Sequence, residues 1–351
     1  MKYLPRLIWV CLFATLGINT VHSQGGSRIV RSQASMMEDS LKVIGQTMAY
    51  DQSPIKRFAA DSLFIRVLVR ALKLQGSFQY PFDSVSMISK LYPADSSFRI
   101  FTWQFERESF YRQRGAIQMK TADGSLKLFP LIDVSEFTST PTDSVRSNLN
   151  WIGAIYYKLI EKRYNNKTYY TLLGLDDNEF STTKKWIDVL TFNSNGQPQF
   201  GGPYFAYKND SIKPAQPAFR FCLEYKKDTR ARLNYDQDMD MILFDHLVSE
   251  SSNQSKKYTL IPDGDSEGFK WQNGRWEHIV KVFNSSLEDG QAPVPLPIKG
   301  DGGASDEKKL WEQSLRNMEK EKAKAQEQQP SSQKKKLQQN QRADPREAPS
   351  N

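Results

Sequence analysis

Few side chains in this 351-residue chain could do chemistry, and most of those are carboxylates. Two cysteines and three histidines leave little for a soft-metal centre or a Cys–His nucleophile. There is no Gly-x-Ser-x-Gly elbow, no His-Glu-x-x-His, no phosphate-binding glycine loop and no Cys-x-x-Cys pair. Nothing in the sequence calls for a cofactor. Asp176 and Asp177, with Glu179 close by, could act as acid and base in cleaving a glycosidic bond. A turn after Gly174 is the simpler account.

Asp263, Asp265 and Glu267 alternate along a Gly-rich run, as oxygens do where they meet one calcium ion. The run is too short for a full calcium loop and lacks the distal bidentate glutamate, so a polar turn is preferred. Asp236, Asp238 and Asp240 repeat the pattern and the doubt. Trp271 and Trp276 could stack on sugar rings. They flank Asn273-Gly274, however, and a cross-strand pair that steadies a hairpin explains them as well. Asp245-His246 looks like two members of a triad, yet neighbours on a strand point to opposite faces. Both His246 and His278 read as ordinary strand or turn residues. Cys222 lies in the apolar run Phe219-Arg220-Phe221-Cys222-Leu223, which suits a buried, inert thiol.

The elements that must position these groups change type along the chain. Residues 24–97 read as a helical segment: Met37, Leu41, Ile44 and Met48 recur at helical spacing, as do Phe58, Leu63, Val67 and Leu72. Pro54, Gly76, Pro81 and Pro93 mark the breaks. Residues 98–285 read as an antiparallel β domain of about ten to twelve strands, a sheet, sandwich or barrel. Asp123-Gly124, Asn195-Gly196 and Asn273-Gly274 signal its hairpins, because these pairs tolerate the positive φ of tight turns. A propeller would need a self-similar period, and none is visible. The fold class is therefore α+β, with the helical segment packed on a large antiparallel β domain. Residues 286–351 read as a Pro/Gly linker and a disordered, charged tail, with a short helix from Glu307 to Gln328.

Met1 to Ser23 has the form of a cleaved export signal, with Lys2 and Arg6 before the apolar stretch Leu7–Leu16. That stretch is shorter than the roughly 20 residues a membrane span needs, and no later segment approaches that length. The expected destination is the periplasm or the exterior. The formal net charge of +8 is no pointer to nucleic acid. The signal carries two of those charges, and the stretch after Gly300 holds eleven Lys and Arg against nine Asp and Glu. About +4 remains, spread over both signs without a basic stripe.

Asp-Ser followed by an apolar residue recurs at Asp39, Asp61, Asp83, Asp143 and Asp210. The pattern looks like the O-glycosylation acceptor of exported Bacteroidota proteins, and helix capping explains some cases equally well. The runs Tyr170–Asn178, Lys185–Phe192, Phe200–Phe205, Met241–Leu247 and Pro262–Trp276 are similar to a widespread group of exported Bacteroidota proteins. That resemblance covers about half the chain. It implies an envelope location and a single β-rich unit, and it carries no assigned activity. The expected role is a non-catalytic envelope module that binds a protein or glycan partner. A carboxylate-dependent hydrolase acting on polysaccharide is the alternative.

Overall fold

The computed structural model describes residues 24–107, 110–251 and 253–283. The segment read as an export signal and the segment read as linker and tail lie outside the described residues. Two helices come first, α1 (Gln24–Tyr50) and α2 (Pro54–Leu72). Pro54 opens α2, where its missing N–H costs nothing and its fixed φ suits the first turn. Leu41 and Met48 of α1 and Phe64, Leu68 and Leu72 of α2 turn inward at helical spacing.

Helix stops at Leu72, short of the expected 97. Gly76 takes the left-handed conformation (φ +74°), and a 3₁₀ turn at Ser77–Gln79 leads into strand β1 (Ser89–Leu91). With β2 (Phe98–Glu106), β3 (Tyr111–Met119) and β4 (Lys127–Leu131) it makes a four-stranded antiparallel sheet. Next come β5 (Arg146–Ser147), β6 (Ile155–Tyr164), β7 (Lys167–Asp176), β8 (Thr182–Phe192) and β9 (Pro198–Phe200). They form the second sheet in the order β5-β9-β8-β7-β6.

The remaining strands are β10 (Phe205–Ala206), β11 (Phe221–Lys226), β12 (Leu233–Asp236), β13 (Met241–Ser249), β14 (Leu260–Gln272) and β15 (Arg275–Ile279). Strand β11 joins the second sheet beside β8; the others make the third in the order β10-β15-β14-β13-β12. Only β10–β15 runs parallel among these strand pairs. The expected turns fall where positive φ is needed: Gly124 (+73°), Gly196 (+69°), and Asn273 (+49°) with Gly274 (+81°).

The layers stack as helices, first sheet, second sheet, third sheet. Phe101, Trp103 and Phe105 of β2 face the helices, whereas Phe98 and Ile100 face Tyr156, Leu172 and Leu190 of the second sheet. On β8 the alternation continues: Trp186 and Leu190 point toward the first sheet, while Ile187 and Val189 point toward Phe244, Phe269 and Trp276 of the third. Each large side chain so buried is worth about 1.5–3 kcal/mol. Buried polar ties pin the layers. Asp61 of α2 accepts hydrogen bonds from Arg114 (3.1 and 3.0 Å) and Trp103 Nε1 (3.2 Å) of the first sheet. No described helix is long and apolar enough to cross a membrane.

Candidate functional site

A cleft of about 460 Å³ opens where the first and second sheets part. Its floor comes from strand register. Asp176 of β7 lies opposite Lys184 of β8, and Lys184 lies opposite Glu224 of β11. Since strand neighbours in one row share a face, a carboxylate, an ammonium and a carboxylate project side by side. One step along, Gly174, Trp186 and Cys222 form the next row. The opposite wall is Tyr111, Arg112 and Gln113 of β3, with Asp133, Ser135 and Glu136 from the segment after β4. Ile212, Lys213, Pro214 and Lys257 close one end.

Each charged group has a local reason for its place. Asp133 is buried and accepts from Ser135 N (2.9 Å) and Gly153 N (3.1 Å) through one oxygen and from Gln113 N (3.3 Å) through the other. Gly153 is required here, because a Cβ would lie 2.3 Å from Gln113 Cβ. Asp176 accepts from Gln113 Nε2 (2.8 Å) and Asn178 N (2.8 Å). Burial pushes its pKa up to about 6, against the lowering pull of the Asn178 N–H and of Lys184. Glu224 accepts from Thr182 Oγ1 (2.8 Å), and Lys184 Nζ donates to Asn178 Oδ1 (3.0 Å). Cys222 lines the cleft as well. Enclosure by protein pushes its thiol pKa well up, so it stays a thiol rather than a nucleophilic thiolate.

Three phenylalanines lie in or next to the cleft-lining segments, and Phe110 alone of them lines the cleft. Phe137 sits between the lining residues Glu136 and Thr138 and is 76% exposed; Phe180 follows Glu179 and is 71% exposed. Phe110, half-buried, pairs its backbone with Glu179 and lines the cleft itself.

Of the residues singled out in the sequence, Asp176 and Glu179 meet in this cleft and Asp177 does not line it. The Asp177 carboxylate accepts from Gln104 Nε2 (2.5 Å) and lies 3.5 Å from Lys227 Nζ. Trp271 and Trp276 do face each other across β14–β15, with ring centroids 5.3 Å apart. Trp276 is nevertheless fully buried, and its Nε1 donates to Thr171 Oγ1 (3.0 Å). A sugar cannot stack on it, because the second sheet already covers its ring. Trp271 is half-buried and packs on Tyr169 as well.

Asp263, Asp265 and Glu267 do lie on one strand but pair with histidine and lysine side chains. Asp263 Oδ2 is 2.8 Å from His246 Nδ1, and Asp265 is 3.7 Å from Lys281. Glu267, almost wholly buried, takes His278 Nε2 (2.5 Å) and Lys213 Nζ (3.1 Å). Among the described residues no three His, Cys, Asp or Glu side chains gather as they would around a metal ion. The Asp245-His246 pair separates as expected: Asp245 turns to Arg232 and His246 to Asp263.

Sequence reading missed Gln113, Asp133, Lys184 and Glu224. Glu224 carries a usable signal, since β11 alternates apolar Phe221, Leu223 and Tyr225 with Cys222, Glu224 and Lys226. No protein-family model, curated protein sequence or solved structure matches this chain.

Proposed function

We propose that the protein is an exported, non-catalytic binding module whose cleft holds a neutral, hydroxyl-rich ligand, a segment of glycan. One observation carries the reading: the cleft is walled by charges close to balance, with the Phe110 ring among its lining residues. Four cations (Arg112, Lys184, Lys213, Lys257) face five carboxylates (Asp133, Glu136, Asp176, Glu179, Glu224). A polyanion or polycation would meet as much repulsion as attraction there. Hydroxyl groups, which donate and accept, suit both kinds of side chain. Phe110 supplies an apolar face of the sort that sugar rings cover. Export, and kinship with the exported Bacteroidota group, belong to the same proposal and rest on the apolar N-terminal stretch and the residue runs already described.

Titration with neutral oligosaccharides, followed by calorimetry or amide shifts, tests the reading. Phe110→Ala is expected to weaken binding up to about tenfold, from a ring contact worth about 0.5–1.5 kcal/mol. Absence of binding across such a panel at millimolar concentration would overturn it. Cell fractionation with N-terminal sequencing tests export separately, with a mature chain starting at Gln24 expected.

The row Asp176–Lys184–Glu224 favours one further reading, hydrolysis of a glycosidic bond. Asp176, with its raised pKa, would be the acid and Glu224 the base. Two strand spacings set their backbones about 9.5 Å apart, near the spread that inverting enzymes use. Lys184 stands between them, and an ammonium there would raise the energy of a cationic, oxocarbenium-like transition state. Binding is therefore the better-supported conclusion. Release of reducing ends by the wild type, abolished in Glu224→Gln, would reverse that preference.

A further inference from the structure

We propose that Phe58 and Arg107 control the affinity of the cleft from outside it, as positioning residues for the Phe110 ring; this rests on the glycan reading of the same cleft. Phe110 lines the cleft, and neither Phe58 nor Arg107 does. Phe110 ends the connection between β2 and β3, where its backbone is tied twice. Its carbonyl accepts from Arg107 N (2.9 Å), and it pairs with Glu179. Those bonds fix the main chain and leave the ring to be held by other means.

A cation supplies the hold. Arg107 Cζ lies over the Phe110 ring, 5.6 Å from its centroid, and over the Phe58 ring at 5.8 Å. Its positive charge is attracted to the electron-rich face of each ring, so one guanidinium links a cleft side chain to a helix side chain. Phe58 belongs to α2 and is 49% exposed, yet its ring is anchored. Its centroid is 6.4 Å from that of Phe105, which is 2% exposed in the core beneath the helices.

The contacts run in one line from core to cleft: Phe105, Phe58, Arg107, Phe110. That line has an energetic consequence. A ring free to turn is ordered only when a ligand covers it, and the lost rotamer freedom subtracts from affinity. A ring held by Arg107 has given up that freedom on folding, before any ligand arrives. Phe58 and Arg107 thus act on the ligand through Phe110, without touching it.

The test uses calorimetry on the full-length protein, with the tightest binder among cellotriose, maltotriose and chitotriose as probe. Phe58→Ala and Arg107→Ala are each expected to weaken binding about two- to fivefold. Phe58→Tyr, which keeps the ring, and Arg107→Lys, which keeps the cation, should recover most of that. The double variant Phe58→Ala/Arg107→Ala should bind no worse than Arg107→Ala alone, because both act along one line. Circular dichroism of each variant checks the fold. In the ligand-free protein the Arg107 Nε–H resonance should move in Phe58→Ala and in Phe110→Ala, since each removes a ring current. Unchanged affinity in Phe58→Ala and Arg107→Ala, beside a loss in Phe110→Ala, would overturn the positioning role and leave glycan binding standing. So would additive losses in the double variant. Failure of all three sugars, and of the wider neutral panel, would remove the glycan reading and this one with it.

Discussion

Replacing Asp188 with leucine is expected to destabilise the protein by about 3–5 kcal/mol, the usual cost of stranding one partner of a buried ion pair. Asp188 and Arg220 lie beneath the cleft at 2% and 0% exposure, with Arg220 Nε 3.3 Å from Asp188 Oδ2. Arg220 also donates to the carbonyls of Phe200 (3.2 Å) and Pro141, so its guanidinium cannot swing out to water when the carboxylate goes. Tyr156 OH, itself receiving Trp151 Nε1 (2.8 Å), completes the network from the other side. The double variant Asp188→Leu/Arg220→Met removes both charges and should recover most of the loss, because the desolvation cost vanishes with them. Urea unfolding of the three proteins measures this. A loss below about 1 kcal/mol in the single variant would show that the guanidinium finds another partner.

At Asp176 a substitution should stabilise. Its carboxyl pKa rises from 3.8 to about 6 on folding, because burial disfavours the ionised form. A raised folded-state pKa means that the native state holds the proton more tightly than the unfolded chain. The favourable contribution is complete below pH 3.8 and is lost as pH climbs through about 6. At pH 7 the native state carries an ionised, buried carboxylate at a cost of up to about 3 kcal/mol. Asp176→Asn keeps the oxygen that accepts from Gln113 and removes the charge. It should be more stable than wild type at pH 7 by up to that amount, and nearly equal to it at pH 4. The same increment at both pH values would show that ionisation is not the cause. Stability surrendered at one cleft residue is what a binding site is expected to show.

The elements were more legible than their assembly. Asn273-Gly274 and its flanking tryptophans announced a hairpin because turn chemistry and cross-strand pairing are local. The sequence could not say which Trp would be sealed, since Thr171, which accepts from Trp276, lies more than 100 residues away. The same limit applies to Asp263, Asp265 and Glu267. Their alternation is visible, but the side chains that meet them come from β13, β15, the Ile212–Pro214 segment and Lys281 beyond β15. Asp61 shows how a short pattern divides: one of five Asp-Ser-apolar runs, it is a buried anchor for Arg114. Asp210, another, accepts from Ile212 N and Lys213 N to shape its own loop. The cleft needs one strand from the first sheet, three from the second and several loops between them. No window of sequence holds that much.

The second sheet is covered on both faces, by the first sheet on one and the third on the other, and that sets the order in which the protein can come apart. Among the described residues the helices and the third sheet each pack on one neighbouring sheet, whereas β7 and β8 pack on two. Native-state hydrogen exchange should therefore find outer-layer amides opening in partial steps. The amides of Leu172, Leu173, Ile187 and Val189 should exchange only when the whole molecule unfolds, and so report its global stability.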